Sequence, residues 1–333
     1  MTLSPRRVLL YKERVAHQSG QVGRRVFSGI LILCASVLLA VPAGRLLAAA
    51  DQAALAQGTA ADAGQVRLAD DLYVIRIPGE ANVVAYTGAD GVVLVDGVSA
   101  GACESLLKAV ASLPGGRPVT TLFNTHWHPE QTGCNGRLAT AGATIIAHEN
   151  TRLWLTTDVV WPWNGRRFTR VPKAAQPNKT FYTTGELPSG VRYGYLPDAG
   201  HTDGDLYVHF PRQNVIATGE VVSGEGWPVV DWTTGGWVGG ILGAHQRVLT
   251  LGNQETRFVP SRGPVLSFAE VKTRGQMYAT IYDRLTQLLN KGRGPSEAVE
   301  AAPTKEFDAQ MGNPDEFVRR GFESLWAYLS PDA

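Results

Sequence analysis

Asn124-Thr125-His126-Trp127-His128-Pro129-Glu130-Gln131-Thr132-Gly133 follows directly on the β-rich run Val119-Thr120-Thr121-Leu122-Phe123. Side chains on extended backbone repeat every two residues, so His126 and His128 send their imidazoles to one side of the chain. Two convergent neutral imidazoles are natural zinc ligands. Hydrogen-bonded histidines of the surface or core make the same pattern, so the pair needs a third donor. His201 offers one, in Asp198-Ala199-Gly200-His201-Thr202-Asp203-Gly204-Asp205-Leu206, a Gly-bounded turn between two predicted strands, where side chains face a cleft at a sheet end.

Working outward, Leu72–Ile77, Asn82–Tyr86 and Val92–Val95 read as a β-meander punctuated by Pro78-Gly79 and Ala89-Asp90-Gly91. Leu106, Leu107, Val110 and Leu113 have helical spacing that Pro114 and Gly115 stop. A short helix is predicted over Arg137–Thr140, a strand over Ala143–Ala147 and a helix over Asn150–Leu155, whereas 156–180 reads as irregular. Strands return at Val191–Leu196, Leu206–Phe210, Val215–Thr218 and Arg257–Val259. A Trp-Gly-Pro-rich stretch, 224–236, precedes a helix over Trp237–Leu251. The longest helix starts at Ser267, with Glu270 closing a capping box, and stops at Gly292; two more helices close the chain. Alternation of this kind with no linker after residue 65 predicts a single layered α/β domain over 66–333.

The sequence resembles the metallo-β-lactamase superfamily over roughly residues 66 to 290. The resemblance is carried by the strand-loop His126-x-His128, by Gly200-His201-Thr202-Asp203-Gly204-Asp205, by Ala217-Thr218-Gly219-Glu220 and by Val259-Pro260-Ser261-Arg262-Gly263-Pro264, in that family's order. It implies a four-layer αββα sandwich with the metal site in the cleft at one edge of its two sheets. His126, His128 and His201 would form the family's three-histidine site. The second metal position departs from the family: Glu130 and Gln131 stand where Asp and His are usual, Glu220 where a bridging Asp or a Cys is, and Arg262 where a His is. Arginine has no lone pair to give, and a neutral amide is a poor zinc ligand.

These substitutions lead to one metal ion, with the Arg262 guanidinium between Glu130 and Glu220 in place of the second, or lining the mouth and pairing with one acid. The resemblance further implies a zinc-bound hydroxide attacking an ester, lactone, thioester or β-lactam carbonyl. Glu130 is the expected general base, Arg262 the group polarising the carbonyl, and Glu220 a further metal ligand. Asp96, in Val95-Asp96-Gly97, is expected either behind a ligand imidazole or in a structural turn. Two other readings use the same residues: an iron site of His126 or His128 with His201 and Glu220, as in sulfur dioxygenases of that superfamily, and a non-catalytic metal-binding accessory protein.

Composition excludes other classes. With 44% apolar residues and a formal charge of +1 over 333 residues, the chain is neither disordered, nor collagen-like, nor a basic nucleic-acid binder. It has no Walker loop or Gly-x-Gly-x-x-Gly fingerprint. A small-molecule substrate is the expected partner. Charge is uneven: residues 1–50 hold seven of the 31 Lys and Arg and one of the 30 acids, so the remainder carries −5. Gly23-Arg24-Arg25-Val26-Phe27, an apolar run of about 15 residues to Ala43, too short for a spanning helix, and small residues suited to cleavage after Ala50 or after Ala56 read as a twin-arginine export signal. Residues 51–65 would be a flexible leader, and the mature protein periplasmic or secreted, with no lasting membrane insertion. Its two cysteines, Cys103 and Cys134, are either bridged or buried thiols. His148, His209 and His245 read as structural or solvent-facing. Trp127, Trp161, Trp163, Trp227, Trp232 and Trp237 either wall a substrate pocket or plug their own loops.

Overall fold

Strands β2 (Leu72–Arg76), β3 (Val83–Gly88) and β4 (Gly91–Val95) form the antiparallel meander, with β1 (Gly64–Ala69) added at its edge. Their residues are buried on both faces, which is why they read as continuous apolar runs and not as alternation. Helix α1 (Cys103–Ala111) crosses over to β5 (Val119–Phe123), which pairs parallel to β4. The short helices α2 (Pro129–Thr132) and α3 (Asn135–Thr140) then lead to β6 (Thr144–His148), again parallel. The computed structural model describes residues 64–329, so the expected export signal and most of the leader lie outside the described residues. Strand β1 begins at Gly64, the first of the described residues.

Helix α4 (Glu149–Leu155) leads into a segment expected to be irregular, which instead contains the two-stranded hairpin β7 (Val159–Val160) and β8 (Arg167–Phe168), and then β9 (Lys179–Phe181), the last strand of the first sheet. The second sheet is ordered β10 (Thr184–Glu186), β11 (Arg192–Tyr195), β12 (Leu206–Phe210), β13 (Val215–Gly219), β14 (Arg257–Pro260) and β15 (Leu266–Ser267). Helix α5 (Val238–Thr250) connects β13 to the parallel β14, and α6 (Phe268–Asn290) begins at the expected capping box, where Ser267 and Glu270 bond reciprocally. Three helices follow, one more than expected: α7 (Pro295–Glu300), α8 (Asp308–Met311) and α9 (Asp315–Leu329).

The layers are those of an αββα sandwich. Leu72, Val74, Val93 and Phe123 of the first sheet meet Leu206, Val208, Phe210 and Val259 of the second in the central core. Leu106, Val110 and Leu138 of α1 and α3 cover the outer face of the first sheet. Ala244, Val248 and Val271 of α5 and α6 cover the second. The closing helices pack over α5 and α6 through Tyr278, Phe317 and Phe322.

Topology then decides where the loops gather. Because β4 and β5 are parallel, residues 96–97 and 124–128 leave the first sheet at one edge. In the second, β13 and β14 are parallel and β12 runs against them, so the turn before Leu206, Glu220 after β13 and Arg262 after β14 share an edge. The two edges coincide: Leu206 N donates to Thr125 O at 3.0 Å and Asn82 N to Ser261 O at 2.7 Å. Gly219 permits this approach with φ of 58°, since a Cβ there would meet the Thr125 side chain at 2.8 Å. A disulfide joins Cys103 at the head of α1 to Cys134 behind α2, so of the two sequence readings the bridge is the one formed.

Candidate metal centre

His126, His128 and His201 present one ring nitrogen each, and these lie within 4.8 Å of one another in a buried group. His128 Nδ1 and His201 Nε2 are 3.0 Å apart, close to the roughly 3.3 Å edge of a tetrahedron with ~2.0–2.1 Å metal–nitrogen bonds. His126 Nε2 is fully buried and has no hydrogen-bond partner among the described residues. A buried orphan of this kind is costly unless something outside the protein satisfies it. Burial, reinforced by the neighbouring imidazoles, holds His126 well below its ordinary pKa, so the ring is neutral and its lone pair free.

Each ligand ring is held from behind, as metal-binding imidazoles are. His126 Nδ1 lies 3.2 Å from Thr125 Oγ1, which itself donates to the Asp96 carboxylate at 2.9 Å. The hydroxyl proton is thus committed to Asp96, so Nδ1–H donates to Thr125 and Nε2 keeps its lone pair. Asp96 therefore acts one residue removed from the imidazole, and it also caps the turn by accepting from Thr125 N at 2.8 Å. Its burial pushes its pKa up to about 7, against the two Thr125 bonds. His201 Nδ1 donates to Val229 O at 2.7 Å, and Asp205 fixes the turn by accepting from His201 N at 2.7 Å.

Behind His128 stands Asp231, which sequence reasoning missed. His128 Nε2 and Asp231 Oδ2 are 3.1 Å apart, with the acid wholly buried. Although burial alone would raise it, bonds from His128, Thr233 and Thr234 bring Asp231 down to about 2, so it is an acceptor and His128 the donor. Burial lowers the His128 pKa, with Asp231 opposing. The same loop accepts Trp127 Nε1 on Thr234 Oγ1 at 3.0 Å and places Asp231 N on His201 O at 3.1 Å, so 231–234 holds two ligands and the residue between His126 and His128. Asp231 precedes Trp-Thr-Thr-Gly-Gly, a turn signature whose Asp is indistinguishable in sequence from any loop aspartate.

The expected acids separate. Glu220 Oε2 lies 3.7 Å from His201 Nε2, but its Oε1 faces Arg262 Nε at 3.4 Å and it stands outside the compact donor set. Against burial, His201 and Arg262 hold its carboxyl below the usual range. Arg262 does not bridge Glu220 and Glu130: it pairs with Glu220, and Glu130, at the first turn of α2, pairs with Arg166 at 3.1 Å. The reason is local, since the β7–β8 hairpin brings Arg166 over Trp161 and Phe168 and so beside Glu130. Gln131 is fully buried, and neither polar atom of its amide has a partner among the described residues.

Trp127, Trp161 and Phe168 are buried together against His128, and are plugs of their loops. Trp237 stacks on Tyr328, and Trp232 donates to Glu323. Trp227 is different: it lies flat on Phe317 and lines a cavity of about 150 Å³ shared with Glu220 and Arg262. His148 caps α4 and stacks on Tyr195, His209 lies within β12, and His245 is buried under α6; none joins the cluster.

A model of the family described as Metallo-beta-lactamase superfamily matches residues 76–270, more than half of the chain, including the three histidines, Asp96, Glu130, Glu220, Asp231 and Arg262. Among solved structures, the stereoselective inverting sec-alkylsulfatase Pisa1 from Pseudomonas sp. is similar with a TM-score of 0.61 at 13% identity, over 81% of this chain and 51% of its own. The chain thus spans about half the length of that protein. A metallo-beta-lactamase from Pontibacter korlensis is similar at 19% identity and a TM-score of 0.50, over 65% of this chain and 98% of its own. DIM-1 metallo-beta-lactamase gives 18% and 0.51 over 65% and 97%. At these identities the likeness is one of fold.

Proposed function

The chain belongs to the metallo-beta-lactamase superfamily, and from that premise we propose that it is a hydrolase holding one zinc ion on His126, His128 and His201 and cleaving an ester, lactone, thioester or β-lactam carbonyl. One observation carries the reading: three buried ring nitrogens converge, one of them an orphan, while the opposite nitrogen of each ring is engaged by Thr125, Asp231 or Val229. When bound there, zinc supplies Lewis acidity and lowers the pKa of water to about 7.

The protein's own residues supply the rest. Asp231 and the Asp96–Thr125 pair keep two imidazoles in the tautomer that faces the cluster, with no rearrangement needed during turnover. Glu220 is the carboxylate placed to accept a proton, being 12% exposed and 3.7 Å from His201 Nε2, whereas Arg166 engages Glu130. Arg262, on the rim of the adjoining cavity, polarises the carbonyl oxygen. One ion is supported over two because Arg262, without a lone pair, occupies Glu220, and Gln131 offers only an amide. Export in folded form by the twin-arginine signal belongs to the same proposal, and the Cys103–Cys134 bridge supports it, since such bridges persist in oxidising compartments.

Metal quantification on the isolated protein, with a hydrolysis screen over esters, lactones, thioesters and β-lactams, tests this. The expected result is about one zinc per chain and turnover that His201→Ala abolishes together with the metal. Two tightly bound equivalents, iron in place of zinc, or a His201→Ala protein unchanged in both respects would overturn it.

A further inference from the structure

We propose that the Cys103–Cys134 bridge is a positioning device for the metal centre: it pins the turn 96–98, and through Asp96 and Thr125 that turn holds the His126 imidazole in its zinc-binding tautomer. The turn is held against its own preference. Asp96 has a φ of 67° and Val98 a φ of 47°, a left-handed backbone that side chains, and β-branched ones above all, rarely adopt. Both residues are buried, Val98 in one apolar cluster with Cys103 and Cys134. Such a conformation persists only where its surroundings dictate it.

Here the end of α2 dictates it. Gly97 N donates to Gln131 O at 2.8 Å, Gly133 N to Val98 O at 2.9 Å and Cys134 N to Gly97 O at 3.2 Å. Gly133 admits the close approach, since a Cβ there would stand 2.2 Å from Ala100 N. Beyond the turn, Ser99 is tied to Glu80 through N at 2.8 Å and Oγ at 2.6 Å, and four residues later Cys103 is joined to Cys134. The bridge therefore clamps covalently the contact that the three backbone bonds make. On the other side of the turn, the Asp96 carboxylate accepts from Thr125 N and Oγ1, and Thr125 Oγ1 faces His126 Nδ1 at 3.2 Å. Without the clamp the turn relaxes toward ordinary φ and Asp96 turns away from Thr125. The freed hydroxyl then donates to Nδ1, which moves the ring proton to Nε2, the nitrogen that has to offer its lone pair to the ion.

The inference rests on the three-histidine zinc reading for what His126 serves, and its test reads binding and tautomer, not turnover. Zinc affinity, measured by competition with a chelating indicator well below the melting temperature, is compared for the bridged wild type, Cys103→Ser with Cys134→Ser, and that double variant carrying Val98→Gly. The expected result is an affinity about tenfold or more lower in the double variant. The triple variant regains part of it, because glycine takes a φ of 47° unstrained even as buried apolar contacts are given up. A bridge that served only as a staple would lower the melting temperature and leave the affinity of the folded chain alone. Imidazole nitrogen NMR of the metal-free proteins is expected to find His126 protonated at Nδ1 in the wild type and as a mixture of tautomers in the double variant. Should the double variant not fold, Gly133→Ala, which presses the turn off α2 with the bridge intact, is expected to show both losses. Affinity or tautomer unchanged in the variant that folds, or a triple variant that regains nothing, overturns the proposal. A wild type that takes up no zinc yet shows the bridge-dependent tautomer refutes the metal reading and leaves this clamp standing.

Discussion

At the scale of single residues, the three ligands were legible because a metal-binding imidazole announces itself by type and spacing. The groups that orient those imidazoles were not. Asp231 lies over a hundred positions from His128 in sequence, and only the fold brings its Oδ2 to 3.1 Å. Asp231→Asn replaces an acceptor-only carboxylate by an amide that can present either face to Nε2, and metal titration should show affinity falling by about 10- to 100-fold while the fold survives. The second-site substitutions were readable, and of the two arrangements read for Arg262 the structure has the one in which it pairs with a single acid, Glu220; the Arg166 hairpin that claims Glu130 is two short strands with no periodicity to read. If Gln131 and Arg262 are what exclude a second ion, the triple change Glu130→Asp, Gln131→His and Arg262→His should raise bound zinc from about one to about two per chain, as measured by elemental analysis of dialysed protein.

At the scale of elements, long apolar patterns spoke for themselves and short pairings did not. The capping box of α6 and the β2–β4 meander appeared where expected, since each is decided by neighbouring residues. The strands β7 to β10 and β15 have two or three residues each, and only their partners make them strands. Tertiary packing also explains His245 on α5, whose burial brings its pKa down to about 4 while Nδ1 donates to Ile241 O at 2.8 Å. The unfolded chain takes up this proton near pH 6.5 and the folded one only near 4. The neutral ring's contribution is therefore fully present above pH 6.5 and is lost as pH falls to 4, on the order of 3 kcal/mol. His245→Leu should flatten urea-unfolding midpoints across that window. The Cys103–Cys134 bridge closes a loop of 31 residues between α1 and α2, for which chain entropy gives about 3–4 kcal/mol. Its double Ser variant should melt roughly 10 °C lower in calorimetry.

At the scale of the whole molecule, a layered α/β domain was readable from alternation, and the four layers with a site at one edge followed from the family resemblance; the contacts that close that edge, such as Thr125 against Gly219, were not readable. His126 and His128 come from the first sheet's edge and His201 from the second's, so an ion between them is a rivet across the seam of the sandwich. Anything bound only by the folded form stabilises it, by about 4 kcal/mol at a thousandfold excess over its dissociation constant. Chelation should accordingly lower the melting temperature and speed amide exchange first at Thr125, Leu206 and Asp231, with the outer faces of α1 and α6 slower to respond. Loss of the ion would then be felt as a mechanical weakening along the line where the two halves close.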